Sequence, residues 1–347
     1  MTPTLRGLAC ICAIVLSMVS LAGCSGGPAA KPAPPGQQTT PEAAKSTPEV
    51  TQPAPEVAPP AAEVAQPKPP VVIPPPRIAL VLGGGAAKGF AHIGVIKALE
   101  SQSVKLDVIV GTSAGSVVGA LYAGGYDGFE LQRIAMDMKE STFSDWSLPD
   151  RGILKGEALQ EFIDKAVQNR PLERLNRKIG VVATDLQSGE PIVFERGDTG
   201  IAVRASSSVP GVFQPVRISG RDYVDGGLVM PVPVKAARNL GADIVIAVDI
   251  STKPAMQKLE GTIDILLQTF AIMGNALAAS ELPQADVVVK PDISKLSSTD
   301  FQSRHLAILE GERAGLAAMP ELRRKLAARE DRLRAALSPQ PASAVSR

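Results

Sequence analysis

The chain has 347 residues, a formal net charge of +1 at pH 7 and 45% hydrophobic residues. That is long enough for a substantial core and lacks the cationic excess that nucleic-acid binding demands. Its only histidines, His92 and His305, exclude a three-histidine metal site, and no Cys/His spacing fits zinc.

Residues 1–24 read as an export signal: Arg6 gives a positive start, and Leu8 to Leu21 is an apolar stretch too short for a comfortable membrane span. It ends in Leu21-Ala22-Gly23-Cys24, which resembles the bacterial lipobox. That resemblance implies cleavage before Cys24 and its lipidation, and hence a membrane partner. Ser25 resembles an outer-membrane sorting signal, so the expected location is the bacterial cell envelope, on the periplasmic side of the outer membrane. Cys10 and Cys12 lie within the signal, so the mature chain would keep Cys24 alone and form no internal disulfide.

Residues 25–76 hold 16 of the 30 prolines and almost no large apolar residue before Val71, so they cannot bury enough surface to offset their ordering entropy. This stretch reads as a linker, with a reach of about 160 Å if fully extended and about 40 Å as a flexible coil. A tuned spacer and a filler of unselected length stay equally open.

Beyond it, strand and helix patterns alternate. Arg77 to Leu82 reads as a strand ending in three glycines, and Phe90 to Glu100 as a helix. Val108 to Val110 is a strand, Ala114 to Tyr122 and Glu157 to Val167 are helices, and Ile179 to Ala183 and Ile192 to Phe194 are strands. Ile244 to Val248 and Val287 to Val289 are short apolar runs, as expected of strands covered on both faces. Arg304 to Leu337 reads as helix, broken near Pro320, with Leu306, Leu309, Leu316 and Leu322 as its packed face and membrane-surface binding as the lesser alternative. The pattern predicts an α/β fold, a three-layer α/β/α sandwich on a mostly parallel sheet. The expected domains are a catalytic domain over 77–295, a helical segment over 296–337 packed on it, and a disordered tail over 338–347. There is no internal repeat, and nothing in the sequence fixes an oligomeric state.

Ligands in such folds sit outside the carboxyl ends of the strands. Two glycine-rich motifs fall there. Gly111-Thr112-Ser113-Ala114-Gly115 joins a strand to a helix and fits a nucleophile elbow, with Gly111 and Gly115 allowing the tight turn and Ser113 at its tip. A second copy, Gly23-Cys24-Ser25-Gly26-Gly27, has neither strand nor helix around it and reads as accidental. Gly83-Gly84-Gly85-Ala86-Ala87-Lys88-Gly89 fits neither nucleotide-loop template; it reads as an oxyanion hole or as a plain tight turn. Neither histidine occupies the late-chain place of a Ser-Asp-His order. Asp225, in Tyr223-Val224-Asp225-Gly226-Gly227, is the nearest candidate base, with a plain turn residue as the competing reading.

Gly84 to Gly89, Gly111 to Gly115 and Asp225-Gly226-Gly227, in that order, resemble the three blocks of the patatin-like phospholipases, and Ala91 to Glu100, Val182 to Leu186 and Ala202 to Phe213 resemble further blocks. The likeness is to the bacterial patatin-like lipoproteins and small esterases, related to the neuropathy-target-esterase catalytic domain. It implies a serine acyl hydrolase acting on lipid esters, with Ser113 as nucleophile, Asp225 as general base, Gly84, Gly85 and Ala86 as oxyanion loop, and no metal or cofactor. Lys88 stands where the family often has arginine and reads as structural, and His92 as a packing residue. The alternative is a non-catalytic, membrane-anchored lipoprotein that serves as a binding or assembly module on the same fold.

Overall fold

A computed structural model describes residues 73–138, 155–251, 261–297 and 301–337. The expected signal, Cys24, nearly all of the proline-rich stretch and the tail from 338 lie outside the described residues.

Among the described residues eight strands form one sheet: β1 (Ile78–Leu82), β2 (Val108–Thr112), β3 (Lys178–Asp185), β4 (Pro191–Phe194), β5 (Val216–Ile218), β6 (Arg221–Asp225), β7 (Ile244–Val248) and β8 (Val287–Val289). Their order is β5-β6-β3-β2-β1-β7-β8, with β4 pairing β3. The five strands from β3 to β8 in this order run parallel. The additions pair antiparallel, β4 and β6 with β3 and β5 with β6. The mostly parallel sheet expected from the apolar runs is the one observed.

Alternation along β1 explains the layers. Ile78, Leu80 and Leu82 join one core, shared with helices α1 (Phe90–Ser101), α2 (Ala114–Gly124), α3 (Gly128–Asp137), α4 (Glu157–Ala166) and α5 (Thr199–Ser206). Ala79 and Val81 join a second core, with α6 (Val234–Asn239) and one residue, Ala278, of α7 (Thr262–Glu281). A strand buried on both faces must be apolar at every position, which is why β1, β2 and β7 read as unbroken hydrophobic runs.

Four helices go beyond the expected elements. α5 and α6 are too short to show a period, at 8 and 6 residues. α3 carried a readable signal: Asp127 and Glu130 form a reciprocal capping box at its start. α7 is apolar around most of its circumference, so it has no one-sided stripe to detect.

The C-terminal helix is two, α8 (Arg304–Ala317) and α9 (Met319–Leu337), with Pro320 in the first turn of the second. Its packed face is not the leucine stripe. Leu306, Leu309 and Leu316 are 44%, 42% and 44% exposed, and only Leu322 is buried. The buried face of α8 is Ala307, Ile308, Gly311 and Gly315. The cause is the closeness of α1: a Cβ on Gly311 would stand 1.9 Å from the Ala91 carbonyl oxygen, and one on Gly94 1.9 Å from that of Ile308. Where backbones touch, only glycine fits, and a search for large apolar residues selects the wrong face. Gly311→Ala is therefore expected to destabilise the protein by about 3 kcal/mol or more in urea unfolding, through overpacking. On a free helix surface the same change would stabilise by about 1 kcal/mol, so the sign of the shift tests the contact.

Candidate active site

The parallel strands β1 and β2 end side by side, Leu82 opposite Gly111. The glycine loop therefore leaves β1 next to the turn that leaves β2. That turn holds Ser113 at φ 53°, ψ −122°, a conformation a non-glycine residue adopts at a cost of about 1–3 kcal/mol. Both flanking glycines are forced. A Cβ on Gly111 would stand 2.4 Å from the Gly115 carbonyl oxygen, and one on Gly115 2.0 Å from that of Leu82.

Further bonds hold the strained turn. The Ser113 N–H donates to Ser206 Oγ at 2.9 Å, and the Ser206 hydroxyl donates to the Val182 carbonyl. The Ser113 carbonyl accepts from both the amide and the hydroxyl of Ser116, at 2.8 and 2.7 Å.

Asp225 reaches this serine because of register. On β3, Val182 pairs with Thr112 of β2, and the next residue, Ala183, pairs with Asp225 of β6. β4 occupies the opposite edge at both positions. The end of β6 thus abuts the end of β2 along one edge of β3, which brings Asp225 to the elbow from more than 100 residues away. Its N–H donates to the Ser208 carbonyl at 2.9 Å, and its carbonyl accepts from Thr184 Oγ1 at 2.8 Å. The Gly227 N–H donates to Oδ1 at 2.7 Å, and the Ser113 side chain stands close enough to the carboxylate to lower its pKa. Asp225 is 2% exposed. Burial pushes its carboxyl up to about 6, against the Ser113 side chain and the Gly227 amide that hold it down.

The glycine loop lies beside the elbow. Gly84 lies against the elbow, since a Cβ there would stand 3.4 Å from Ser113 Cβ. Its N–H, however, is committed to the Pro231 carbonyl at 2.9 Å, so it is no oxyanion donor in this arrangement. Gly84 serves close approach instead. The amides of Gly85 and Ala86 have no acceptor among the described residues, and neither has the amide of Ala114 at the start of α2. Ala86 sits at φ 50° and lines the cavity beside Ser113.

His92 is fully buried, with Nε2 donating to the Gly83 carbonyl at 2.8 Å. Burial lowers its pKa to about 4, so it is neutral and holds the glycine loop. Lys88 is 7% exposed, and burial pushes its amine below the usual lysine range. His305 is exposed on α8. No metal-binding cluster of His, Cys, Asp and Glu occurs among the described residues.

Ser113 lines an open cavity beside the elbow. Its walls are mainly apolar, among them Phe90, Ile93, Val117, Leu121, Leu131 and Phe213. One buried hydroxyl, Ser207 Oγ, belongs to a cavity-lining residue and has no hydrogen-bond partner.

This geometry coincides with a match to a family model described as patatin-like phospholipase, over residues 80–238. Over that range the chain is similar to the patatin-like phospholipase family. The matched range contains the glycine loop, the elbow and Asp225. An uncharacterized NTE family protein of Mycobacterium tuberculosis is 37% identical over 182 residues, which is 52% of this chain and 50% of that protein. Patatin-like phospholipase domain-containing protein 6 of Mus musculus is 33% identical over 230 residues, 64% of this chain and 16% of that protein. The chain thus spans half or less of these relatives' lengths. Among solved structures, VipD from Legionella pneumophila aligns with a TM-score of 0.42 and 15% identity, covering 71% of this chain and 67% of that one.

Several residues of this patatin-like site carry no role in the sequence reading. Ser206, Ser208 and Thr184 hold the elbow and Asp225 through single hydroxyl or carbonyl contacts. Ser206 and Ser208 stand in the Ala202 to Phe213 block, so their presence was visible but their partners were not.

Proposed function

We propose that the protein is a serine acyl hydrolase that cleaves carboxylic esters of lipids through a Ser113–Asp225 dyad. The observation that carries this reading is the strained elbow serine set beside a buried carboxylate whose pKa its side chain lowers, at the wall of an apolar cavity. Asp225 takes the Ser113 proton as Oγ attacks the ester carbonyl. The oxyanion that forms is met by the amides of Gly85, Ala86 and Ala114, each such donor being worth about 3–4 kcal/mol in the transition state. Collapse breaks the bond to the alcohol, which leaves with the proton from Asp225. The acyl group stays on Ser113 with its chain in the apolar cavity. Water, losing its proton to Asp225, then attacks the acyl-serine and releases the fatty acid.

A pKa of about 6 supports this assignment: such a carboxylate is ionised at neutral pH yet basic enough to share a proton with serine. The lipobox-like Leu21-Ala22-Gly23-Cys24 adds the reading that the enzyme is lipid-anchored in the cell envelope, close to its substrates.

The test is labelling with a fluorophosphonate, followed by turnover of a panel of soluble esters, lysophospholipids and phospholipids. Stoichiometric labelling with hydrolysis of acyl esters is expected. A folded protein that neither labels nor hydrolyses would instead be a binding or assembly module on this fold.

A further inference from the structure

Helix α7 is out of keeping with the rest of the domain. It crosses from the end of β7 back to the start of β8, a place where a helix ordinarily covers the sheet. Of its described side chains only Ala278 is buried. Ile265, Leu266, Ile272 and Met273 are 55%, 37%, 54% and 49% exposed. Their spacing of i, i+1, i+7 and i+8 places them on one outward face. Leu267, 38% exposed, lies beside it.

Three polar residues of α7 are turned onto its own backbone. Thr269 Oγ1 donates to the Ile265 carbonyl at 2.8 Å, Asn275 Nδ2 to that of Ala271 at 2.7 Å, and Ser280 Oγ to that of Leu277 at 2.7 Å. Each is satisfied on the helix's own backbone, as polar side chains are where no water is at hand. Between Thr262 and Glu281 there is no lysine or arginine.

We propose that the outward face of α7 is a docking surface for a lipid bilayer. The helix stands at the pole of the molecule that holds the dyad: the Phe270 ring edge lies 3.7 Å from where a Cβ on Gly227 would stand, and the Gly227 amide holds Asp225. A bilayer met by α7 is thus met beside the catalytic carboxylate, an arrangement whose purpose rests on the acyl-lipid reading of Ser113. The chain enters at the other pole, where Arg329 binds the Pro74 carbonyl and the Arg77 amide binds Asp243. A lipid on Cys24 could hold the domain near a membrane but could not choose which pole faces it, and α7 supplies that choice.

The occupant is a bilayer rather than a second copy on grounds of area. The five residues form an exposed apolar patch of a few hundred Å², a size often functional and well below the ~800 Å² per partner of a stable dimer. Nor does α7 span the membrane, although its length and composition would permit it. Its C-terminal half is fixed to the body: Ala278 lies in the second core, and the Glu281 carboxylate accepts from the Val234 and Lys235 amides at 3.0 and 3.3 Å. The helix lies on the surface with its exposed face in the acyl boundary.

The test places tryptophan at 272 in the full chain, as Ile272→Trp with Ser113→Ala and Trp146→Phe, and mixes it with phosphatidylcholine vesicles brominated in their acyl chains. Emission is expected to fall by about half relative to unbrominated vesicles, as for a side chain within the acyl boundary. Unquenched emission, with the chain bound or unbound, overturns the proposal. So does a dimer in light scattering that shields position 272 from the vesicles. In the active chain, Ile265→Gln/Ile272→Gln is expected to lower vesicle hydrolysis about tenfold and to leave a short soluble ester within about twofold. Equal loss on both substrates overturns a docking role. If the unaltered chain cleaves neither substrate while quenching persists, the hydrolase reading fails and the docking surface stands.

Discussion

Ser113→Ala is expected to abolish fluorophosphonate labelling and to lower kcat/KM for any ester substrate by about 10⁴-fold or more, the usual cost of deleting a nucleophile. Substrate binding should change little, because the cavity walls belong to other side chains. Stability should also change little, since alanine at φ 53° keeps the strain that serine bears. Ser113→Gly is the informative companion. It is equally inactive but gains about 1–3 kcal/mol in urea unfolding as the strain is relieved. The Ser113 side chain lowers the Asp225 pKa, so the carboxyl should titrate above about 6 in both variants. Retained hydrolysis in Ser113→Ala would remove the serine from the mechanism altogether.

What the sequence reveals of this protein is what local patterning encodes. The unbroken apolar runs at β1, β2 and β7 announce a sheet covered on both faces, because each strand must satisfy two cores. The elbow is legible because its Gly-x-Ser-x-Gly spacing is local in sequence, although the contact that forces Gly115 comes from Leu82 on the neighbouring strand. The pairing of Ser113 with Asp225 is a different matter. It depends on two strands meeting end to end along the edge of β3, a register that no spacing records, so resemblance rather than periodicity brought them together. Two expectations fail for a common reason. Gly84 is silent as a donor because Pro231, far along the chain, takes its N–H. The leucines of α8 face outward because α1 lies against the face of Ala307, Ile308, Gly311 and Gly315, where backbone contact leaves room for glycine alone at 311. Each depends on a partner distant in sequence. α7 escapes a pattern search because a helix apolar on nearly all sides has no amphipathic stripe.

Asp225→Asn separates catalysis from stability most sharply. Asparagine keeps an oxygen to accept from the Gly227 amide but cannot take the Ser113 proton, so kcat/KM should fall by about 10³-fold or more. The folded protein should become more stable at neutral pH. The wild-type carboxyl has a folded pKa of about 6, above the ~3.9 of an unfolded aspartate, because burial disfavours its charge. The native state therefore binds a proton that the unfolded state has released between these values. Stability linked to this group is fully present below about pH 4 and is lost as pH rises through about 6, a change of about 3 kcal/mol. The neutral asparagine escapes that loss. Asp225→Asn should thus exceed wild type by up to about 3 kcal/mol in urea unfolding at pH 8, with the gap closing towards pH 4. Wild-type kcat/KM should show the matching acid limb, falling as pH drops through about 6 while the base is protonated. A variant of unchanged activity, or one destabilised at pH 8, would mean that Asp225 serves the turn at Gly226-Gly227 and that another group activates Ser113. The opposite movement of activity and stability is what a buried base requires, because the desolvation that raises its basicity is the same desolvation that weakens the fold.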